Sequence, residues 1–307
     1  MAKNDNAKCW ADLWKASVKK YDRTGDETQA ARWNQRSEHF GKAGDDEKRK
    51  KRATEIFKLL KKAGFNPKGA AVLDIGCGPG TLSIPLAKAG ARVTSLDIAS
   101  GMLDRLRETA KKEKLEIRVM EGSWYTADIG KLGFRNKFDL VIASMTPAVR
   151  DLETFDRMMA CSRKYCYYSN FIQRDMGNSA HQELHKILGE MNASQVHDPG
   201  MRDHDHGPAG HEHGPGPGLV YPFMYLYTLG YRPLLTLTHD TRKREQDWNE
   251  AADRTIGRLE RRRELTEGEK EKIRGFYRDA SPDGKYRSKS ETYRGMMVWS
   301  VDTREKA

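Results

Sequence analysis

The sequence predicts an α/β fold in which a mostly parallel sheet carries helices on both faces, with a helical cap before it and a lid inserted into it. Three observations support this prediction. Short apolar runs alternate with helical patterns through the middle of the chain, as expected for strands joined by helical crossovers. Glycines cluster directly after the first of these runs. A segment rich in histidine, glycine and proline then interrupts the alternation.

The composition is that of a folded protein without a membrane-spanning segment. Aromatic residues make up 9% of the 307 residues, which is enough for a core and argues against disorder throughout. The longest nearly apolar run, Leu219 to Tyr231, is shorter than the ~18–20 residues that a transmembrane helix needs. The first residues lack the apolar stretch of a secretory signal, and the four cysteines do not form a disulfide framework. We therefore expect a cytoplasmic protein with free thiols and no membrane partner.

A polar helical cap is predicted for residues 1–69. Its first helix carries an apolar stripe at three- and four-residue spacing. The residues of this stripe are Trp10, Leu13, Trp14 and Val18. The next segment leaves two interpretations open, since Trp33 can pack in a core or belong to a flap over a ligand. A lysine-rich helix then ends at Gly64.

The α/β core is predicted for residues 70–174. Continuous apolar runs indicate strands that are buried on both faces of a parallel sheet. The predicted strands are 70–75, 91–98, 116–121, 138–144 and 165–172. The predicted helices between them are 81–89, 100–112 and 152–163. Ser100 is expected to cap the second of these helices.

The rest of the core is predicted for residues 219–307, after a lid at 175–218. Its expected elements are an apolar helix 219–229, a strand 232–239, a mostly helical segment 242–279 and a closing strand 294–302. The mixed charges of the long segment are typical of a solvated helix face.

The most informative segment is the turn after the first strand. Gly76, Gly78 and Gly80 allow the backbone to bend sharply and approach a ligand, and they lie where a strand meets a helix at the carboxyl edge of the sheet. Asp74 precedes them with a carboxylate that suits an ammonium group and repels a pyrophosphate. Asp97 follows at the end of the second strand, where an acid can accept hydrogen bonds from both ribose hydroxyls.

The segments Leu73–Gly80 and Leu96–Leu103 resemble those of class I S-adenosylmethionine-dependent methyltransferases, which have a Rossmann-like sheet. The resemblance covers roughly residues 70–172. It implies that the glycine turn holds the methionine part of S-adenosylmethionine, that Asp97 holds the ribose, and that the side chains after it line the adenine. The implied cofactor-binding residues are Asp74, Gly76, Cys77, Gly78, Gly80, Asp97, Ile98, Met102, Ser123 and Trp124. Ser123 stands where the family often has an aspartate.

The resemblance implies no catalytic residue. The segment after the fourth strand, 143–147, lacks the motifs of enzymes that methylate nucleobase amines or cytosine carbon, and it lacks the aspartate of metal-dependent catechol-type enzymes. These differences favour a small-molecule acceptor. By position alone, Ser144, Thr146, Asn170 and Gln173 are expected near the transferred methyl group, although each is equally suited to capping a strand end.

Histidines are concentrated in the predicted lid. Neutral imidazole is a ligand for nickel, cobalt and zinc, so the tract is a candidate metal site. The candidate ligands are His197, His204, His206, His211 and His213. The same composition fits a polar lid that takes up metal only because its imidazoles are dense.

Two alternatives to a small-molecule methyltransferase stay open. The net charge is +11, and nine basic residues against four acidic ones between Lys42 and Lys62 fit a tRNA or rRNA methyltransferase that uses this basic patch. The histidine tract fits a metal-binding or metal-responsive protein. Steeply salt-dependent RNA binding would distinguish the first alternative. Loss of metal affinity on deletion of residues 197–218 would distinguish the second.

Overall fold

The computed structural model describes residues 2–19, 25–37, 45–175, 184, 188, 218–260 and 263–302. The strands of this part of the chain are β1 (Ala71–Ile75), β2 (Arg92–Asp97), β3 (Ile117–Glu121), β4 (Phe138–Ser144), β5 (Ser162–Asp175), β6 (Leu234–Asp247) and β7 (Lys285–Ser300). The helices are α1 (Ala2–Lys19), α2 (Asp26–Ser37), α3 (Asp45–Lys62), α4 (Ser83–Lys88), α5 (Ser100–Lys112), α6 (Leu152–Cys161), α7 (Val220–Thr228), α8 (Trp248–Glu260) and α9 (Glu267–Asp279).

The strands form one sheet with the order β3-β2-β1-β4-β5-β7-β6, which confirms the predicted Rossmann-like α/β fold. The pairs from β3 to β5 are parallel. The chain reverses its direction of progress across the sheet between β1 and β4, where open α/β sheets bind ligands. Among the described residues, no helix has the length and hydrophobicity that crossing a bilayer requires.

The chain divides into two compact units. The first comprises Met1–Asn170, Pro217–Leu237 and Gly295–Ala307, and the second comprises Phe171–Gly216 and Thr238–Arg294. The predicted cap and the glycine turn therefore belong to one unit.

Both faces of the sheet are covered within the first unit. Ile56 and Leu60 of α3 pack with Val72, Ile142 and other apolar residues on one face. On the other face, the ring of Phe155 from α6 packs against Tyr168 and Trp299, at centroid distances of 5.6 Å for each pair. Tyr167, the neighbour of Tyr168 on β5, packs with the first of these groups. Adjacent residues of β5 thus point to opposite faces of the sheet, which explains the continuously apolar pattern of these strands.

The first helix of the cap is anchored in the second of these cores. The Trp14 ring lies 5.4 Å from Phe155 and is completely buried, and its indole N–H donates to the Arg150 carbonyl at 2.9 Å. The predicted stripe on α1 is therefore partly a core face, whereas Leu13 is 47% exposed.

The start of α5 differs from the prediction. Ser100 is the first helical residue, and Ala99 occupies the N-cap position. The alanine side chain cannot form a capping hydrogen bond. The side-chain oxygen of Asn34, on α2, instead accepts a hydrogen bond from the Gly101 N–H at 2.9 Å. The first amides of a helix have no acceptor within the helix. A residue of the N-terminal helical cap therefore supplies an acceptor for one of them.

The prediction of helix from residue 242 is wrong. β6 continues to Asp247, and β7 begins at Lys285 instead of residue 294. Charged side chains pair across these exposed strands: Glu245 accepts hydrogen bonds from Lys285 at 2.9 Å and Arg287 at 3.0 Å. The exposed, charged strands lack the alternation of apolar and polar residues that predicts a strand. From the sequence alone they cannot be distinguished from a solvated helix.

The charged helical segment is two helices. α8 ends at Glu260, and a capping box between Thr266 and Glu269 starts α9. Within the second unit, the two helices pack through Ala252, Ile256 and Ile273.

We expect Trp14→Ala to reduce the free energy of unfolding by about 3–5 kcal/mol, because it leaves a cavity beside Phe155 and an unpaired carbonyl. Leu13→Ala, on the exposed side of the same helix, is the matched control and should change stability by less than about 0.5 kcal/mol. Urea unfolding measures both values. Equal effects would contradict the placement of α1 in the core.

Candidate active site

A cavity lies at the carboxyl edge of the sheet in the first unit, where the chain reverses direction. It is lined by the glycine turn, the segments after β2, β3 and β4, and residues of α2 and α3. Nine of the ten residues predicted to bind a cofactor line it. They are Asp74, Gly76, Cys77, Gly78, Asp97, Ile98, Met102, Ser123 and Trp124.

The glycine turn is held against β2 and packed under the segment after β4. The amides of Gly76 and Cys77 donate to the Leu96 carbonyl at 2.7 and 3.1 Å. Gly76 has a φ of +63°, and a Cβ built there would lie 1.9 Å from the Thr146 Oγ1 atom. Only glycine fits this close approach.

Asp97 links the two loops that border the cavity. Its Oδ2 accepts a hydrogen bond from the Gly78 N–H at 2.8 Å, and its Oδ1 accepts one from the Ala99 N–H at 2.9 Å. Burial raises the pKa of this carboxyl, and the two amides partly offset that effect. Each oxygen keeps a lone pair for a further donor.

Asp74 is the most deeply buried acid of the cavity. Its Oδ2 accepts a hydrogen bond from the Ser83 hydroxyl at 2.6 Å, and that hydroxyl accepts one from Ser95 at 2.8 Å. Desolvation and the nearby charge of Asp97 together raise the pKa of Asp74 to about 7, although the hydrogen bonds from Ser83 oppose this shift. A cation in the cavity would offset both effects, so the site is electrostatically complementary to positive charge.

Gly80 does not line the cavity. A Cβ built there would lie 2.4 Å from the Leu106 Cδ1 atom, so this glycine allows the turn to pack against α5. The predicted role in binding stays a prediction, and the contact assigns Gly80 a packing role.

The side chains of Trp124 and Ser123 form hydrogen bonds with backbone groups of the protein. The indole N–H of Trp124 donates to the Thr154 carbonyl at 3.1 Å, and the side chain is 2% exposed. The Ser123 hydroxyl accepts a hydrogen bond from the Tyr125 N–H at 3.2 Å.

The segment after β4 brings two of the four predicted acceptor-side residues to the cavity. Ser144 and Thr146 line it, together with Met145, whose φ of +50° is unusual for a residue with a side chain. Asn170 instead donates to the Tyr168 hydroxyl at 2.8 Å, and Gln173 is exposed. Neither is among the residues that line the cavity.

The cap supplies lining residues, and the sequence reasoning missed all of them except Trp33. Gln29 and Trp33 of α2 and Arg52 and Ile56 of α3 face the cavity. Of the two interpretations of Trp33, the flap over a ligand site agrees with this position. The signal for Arg52 was hidden, because it lies in a run of lysines and arginines that resembles a solvated surface.

The five candidate metal ligands, His197, His204, His206, His211 and His213, lie outside the described residues, as do His181 and His185. In the described part of the chain, no group of three or more histidine, cysteine or acidic side chains could hold a metal ion.

Residues 72–165 match the family model of the methyltransferase domain. This part of the chain is therefore a class I S-adenosylmethionine-dependent methyltransferase domain, as the resemblance implied.

Individual relatives also match part of the chain. The chain is 36% identical over 108 residues to an uncharacterised protein of Haemophilus influenzae, which covers 34% of this chain and 38% of that protein. It is 39% identical over 80 residues to the magnesium-protoporphyrin O-methyltransferase of a Synechocystis species, which covers 26% and 33%. The chain thus spans about a third of the length of the curated relatives it matches. The crystal structure of magnesium protoporphyrin IX methyltransferase from Synechocystis is 16% identical, covers 95% of this chain and 94% of that one, and gives a TM-score of 0.42.

We expect Gly76→Ala to destabilise the protein and to abolish ligand binding in the cavity. The added methyl group collides with Thr146, which costs about 1–3 kcal/mol beyond the strain of alanine at positive φ. Gly69→Ala is the matched control, because Gly69 has a φ of +73° and nothing lies within 4 Å of its built Cβ. Urea unfolding of both variants isolates the collision. A Gly76→Ala variant as stable as Gly69→Ala would contradict the packing of the turn.

Proposed function

We propose that the protein transfers a methyl group from S-adenosylmethionine to a small-molecule acceptor. The observation that carries the proposal is the pair of acids, Asp74 and Asp97, on either side of a glycine turn that is closed by Thr146. Membership of residues 72–165 in the methyltransferase domain family supports it independently.

The lining residues fit the parts of S-adenosylmethionine. Asp97 would accept hydrogen bonds from the ribose hydroxyls, because its oxygens are held in place by Gly78 and Ala99. Asp74 would face the ammonium group, whose charge compensates the buried carboxylate. Ile98 and Met102 would provide apolar walls for the adenine, with Ser123 and Trp124 at its edge.

The chain's own contribution to the reaction is positioning and exclusion of water. When bound, S-adenosylmethionine supplies an electrophilic methyl group. The cap residues Gln29 and Trp33 close over the cavity, which holds the acceptor in line with that methyl group and keeps water out.

The acidic and thiol groups of the cavity do not serve as a general base in this reaction. Burial raises the pKa of the Cys77 thiol well above its usual value, so the group stays protonated at neutral pH and cannot take up a proton from the acceptor. Asp74 and Asp97 are assigned to the cofactor. The acceptor is then a group that reacts without early removal of a proton, or one that arrives ionised.

The two alternatives are tested separately, by salt-dependent RNA binding and by metal affinity. An RNA acceptor would bind to the basic patch at 42–62. One residue of that patch, Arg52, faces the cavity. Binding of nickel, cobalt or zinc by the histidine tract is an additional hypothesis that rests on the sequence.

We expect Asp97→Ala to weaken S-adenosylhomocysteine binding by about 100-fold or more, since two hydrogen bonds to a charged acceptor are lost at once. Asp104→Ala, an exposed acid on α5 that pairs with Arg107, should bind as the wild type does. Titration calorimetry measures both. Unaltered binding by the Asp97 variant would refute the ribose assignment.

We also expect the affinity for S-adenosylhomocysteine to rise with pH between 6 and 7. The ammonium group binds the ionised form of Asp74, whose pKa is about 7, so the fraction competent to bind increases through this range. The limiting slope is about one decade per pH unit. Asp74→Asn should flatten the profile. A flat wild-type profile, or an unchanged one in the variant, would remove Asp74 from the ammonium site.

A further inference from the structure

Most of the net positive charge of the chain lies where the polypeptide enters the five parallel strands. Each entry extends from the last turn of the preceding helix, or from the loop before the strand, to the first residues of the strand. The five entries are 61–71, 88–92, 111–118, 134–139 and 161–164. They contain thirteen basic and three acidic residues, so they have a net charge of +10, whereas the whole chain has +11. The rest of the sequence is therefore almost neutral.

The entries form one continuous edge of the sheet, which we call the amino edge. Because β1 to β5 are parallel, all of them begin at this edge, and the cavity lies at the opposite one. The Gly69 N–H donates to the Gly90 carbonyl at 2.8 Å, which joins the entries of β1 and β2. Asp139 accepts hydrogen bonds from the Ala71 N–H at 2.9 Å and from Arg163 at 3.0 Å, which joins the entries of β1, β4 and β5. Five strands side by side span roughly 19 Å.

The basic side chains of the amino edge are all exposed. Lysines in the last turns of α3, α4 and α5 are favoured there by the helix dipole, so they need no partner to explain them. That explanation does not extend to the cations at the strand starts. Within the described part of the chain, Lys68, Arg92 and Arg118 have no acidic side chain at ion-pair distance.

The entries of β4 and β5 also have more cations than acids. Asp139 is the acid of these two entries, and it pairs with both Arg163 and Lys164, at 2.9 and 3.2 Å. Lys137 lies over the rings of Phe134 and Phe138, at 5.8 and 5.9 Å from their centroids. Like charges at these spacings repel each other, so the fold itself gains no stability from collecting them at one edge.

We propose that the amino edge binds the phosphate backbone of a nucleic acid. A row of exposed cations matches a chain of evenly spaced phosphates, and the guanidinium groups of the row can each donate two hydrogen bonds to one phosphate. The large apolar side chains that are exposed in the described structure all lie outside the five entries. Membrane-surface binding commonly adds apolar side chains to the charge, so this composition favours a nucleic acid over a lipid surface.

The position of the row separates this site from the proposed methyl transfer, on which it does not depend. The five residues of β1 extend roughly 17 Å from the amino edge to the glycine turn. A nucleic acid bound along the row is therefore a docking partner and not the methyl acceptor. An RNA acceptor would instead have to reach the cavity at the carboxyl edge.

Fluorescence anisotropy with labelled RNA of mixed sequence, about 20 nucleotides long, and with DNA of the same sequence tests the proposal. The test variant combines Lys68→Gln, Arg92→Gln and Arg118→Gln. We expect it to bind about tenfold or more weakly than the wild type at low salt. The slope of log affinity against log salt concentration should fall by about 2, since each phosphate contact to a single strand contributes ~0.7. The comparison of RNA with DNA identifies which of the two the site prefers.

A matched control removes the same charge from another surface. It combines Lys50→Gln, Lys51→Gln and Lys58→Gln, three exposed positions of α3 that precede the entry of β1. We expect it to bind as the wild type does, within about twofold, and to keep the salt slope. Urea unfolding verifies that both variants are folded. If the triple variant at the amino edge is not, the single Arg92→Gln variant should still reduce the slope by about 0.7.

Four results would overturn the proposal. The first is a wild type that binds neither nucleic acid in a salt-dependent way. The second is unchanged binding by the variant of the amino edge, and the third is an equal loss in the control, which would make net charge the cause. The fourth is binding to vesicles of equal parts phosphatidylcholine and phosphatidylserine without binding to RNA or DNA, which would make the partner a membrane. A loss confined to the control would support the RNA acceptor that uses the 42–62 patch and would also refute docking at the amino edge.

Discussion

The site depends on the hydrogen bonds that fasten the glycine turn to the end of β2. Two amides of the turn donate to the Leu96 carbonyl, and a third donates to the carboxylate of the next residue, Asp97. Because β1 and β2 are paired in parallel register, with Asp74 opposite Ser95, the same contacts fix the distance between the two acids. These hydrogen bonds within the protein hold the backbone of the turn in its bent conformation.

The sheet uses aspartate in two opposite ways at its two edges. Asp139, near the amino end of β4, accepts hydrogen bonds from Arg163 and from the Ala71 N–H, and these partners hold its pKa well below the usual range. Asp74, at the carboxyl end of β1, has only hydroxyl and amide partners and is desolvated, so its pKa is raised. The first carboxyl thus has a cationic partner within the fold, whereas the second combines burial with a raised pKa, which is the pattern common at functional sites.

The parts of the site that the sequence predicted are the local ones. The glycines, Asp74 and Asp97 lie within two strand–turn units, where strand order alone brings them to one edge. Arg52 and Gln29 line the same cavity from helices that are distant in sequence. No local sequence pattern predicts that these helices pack beside the cavity. The strand over residues 242–247 was missed for a related reason, because its charged side chains are paired by Lys285 and Arg287, some forty residues away.

The hydrogen bond from the Gly101 amide to Asn34 limits how the leading helices can be exchanged in chimeric proteins. It makes the leading helices a structural component of the cavity, because the side chain that pairs with the first turn of α5 comes from α2. A Cβ on residue 101 would lie 2.7 Å from the Ser37 hydroxyl, so the two surfaces are shaped to each other. Replacing the leading helices with those of another protein would therefore also disturb the start of α5 and the cavity beside it, unless the asparagine and the glycine are transferred together.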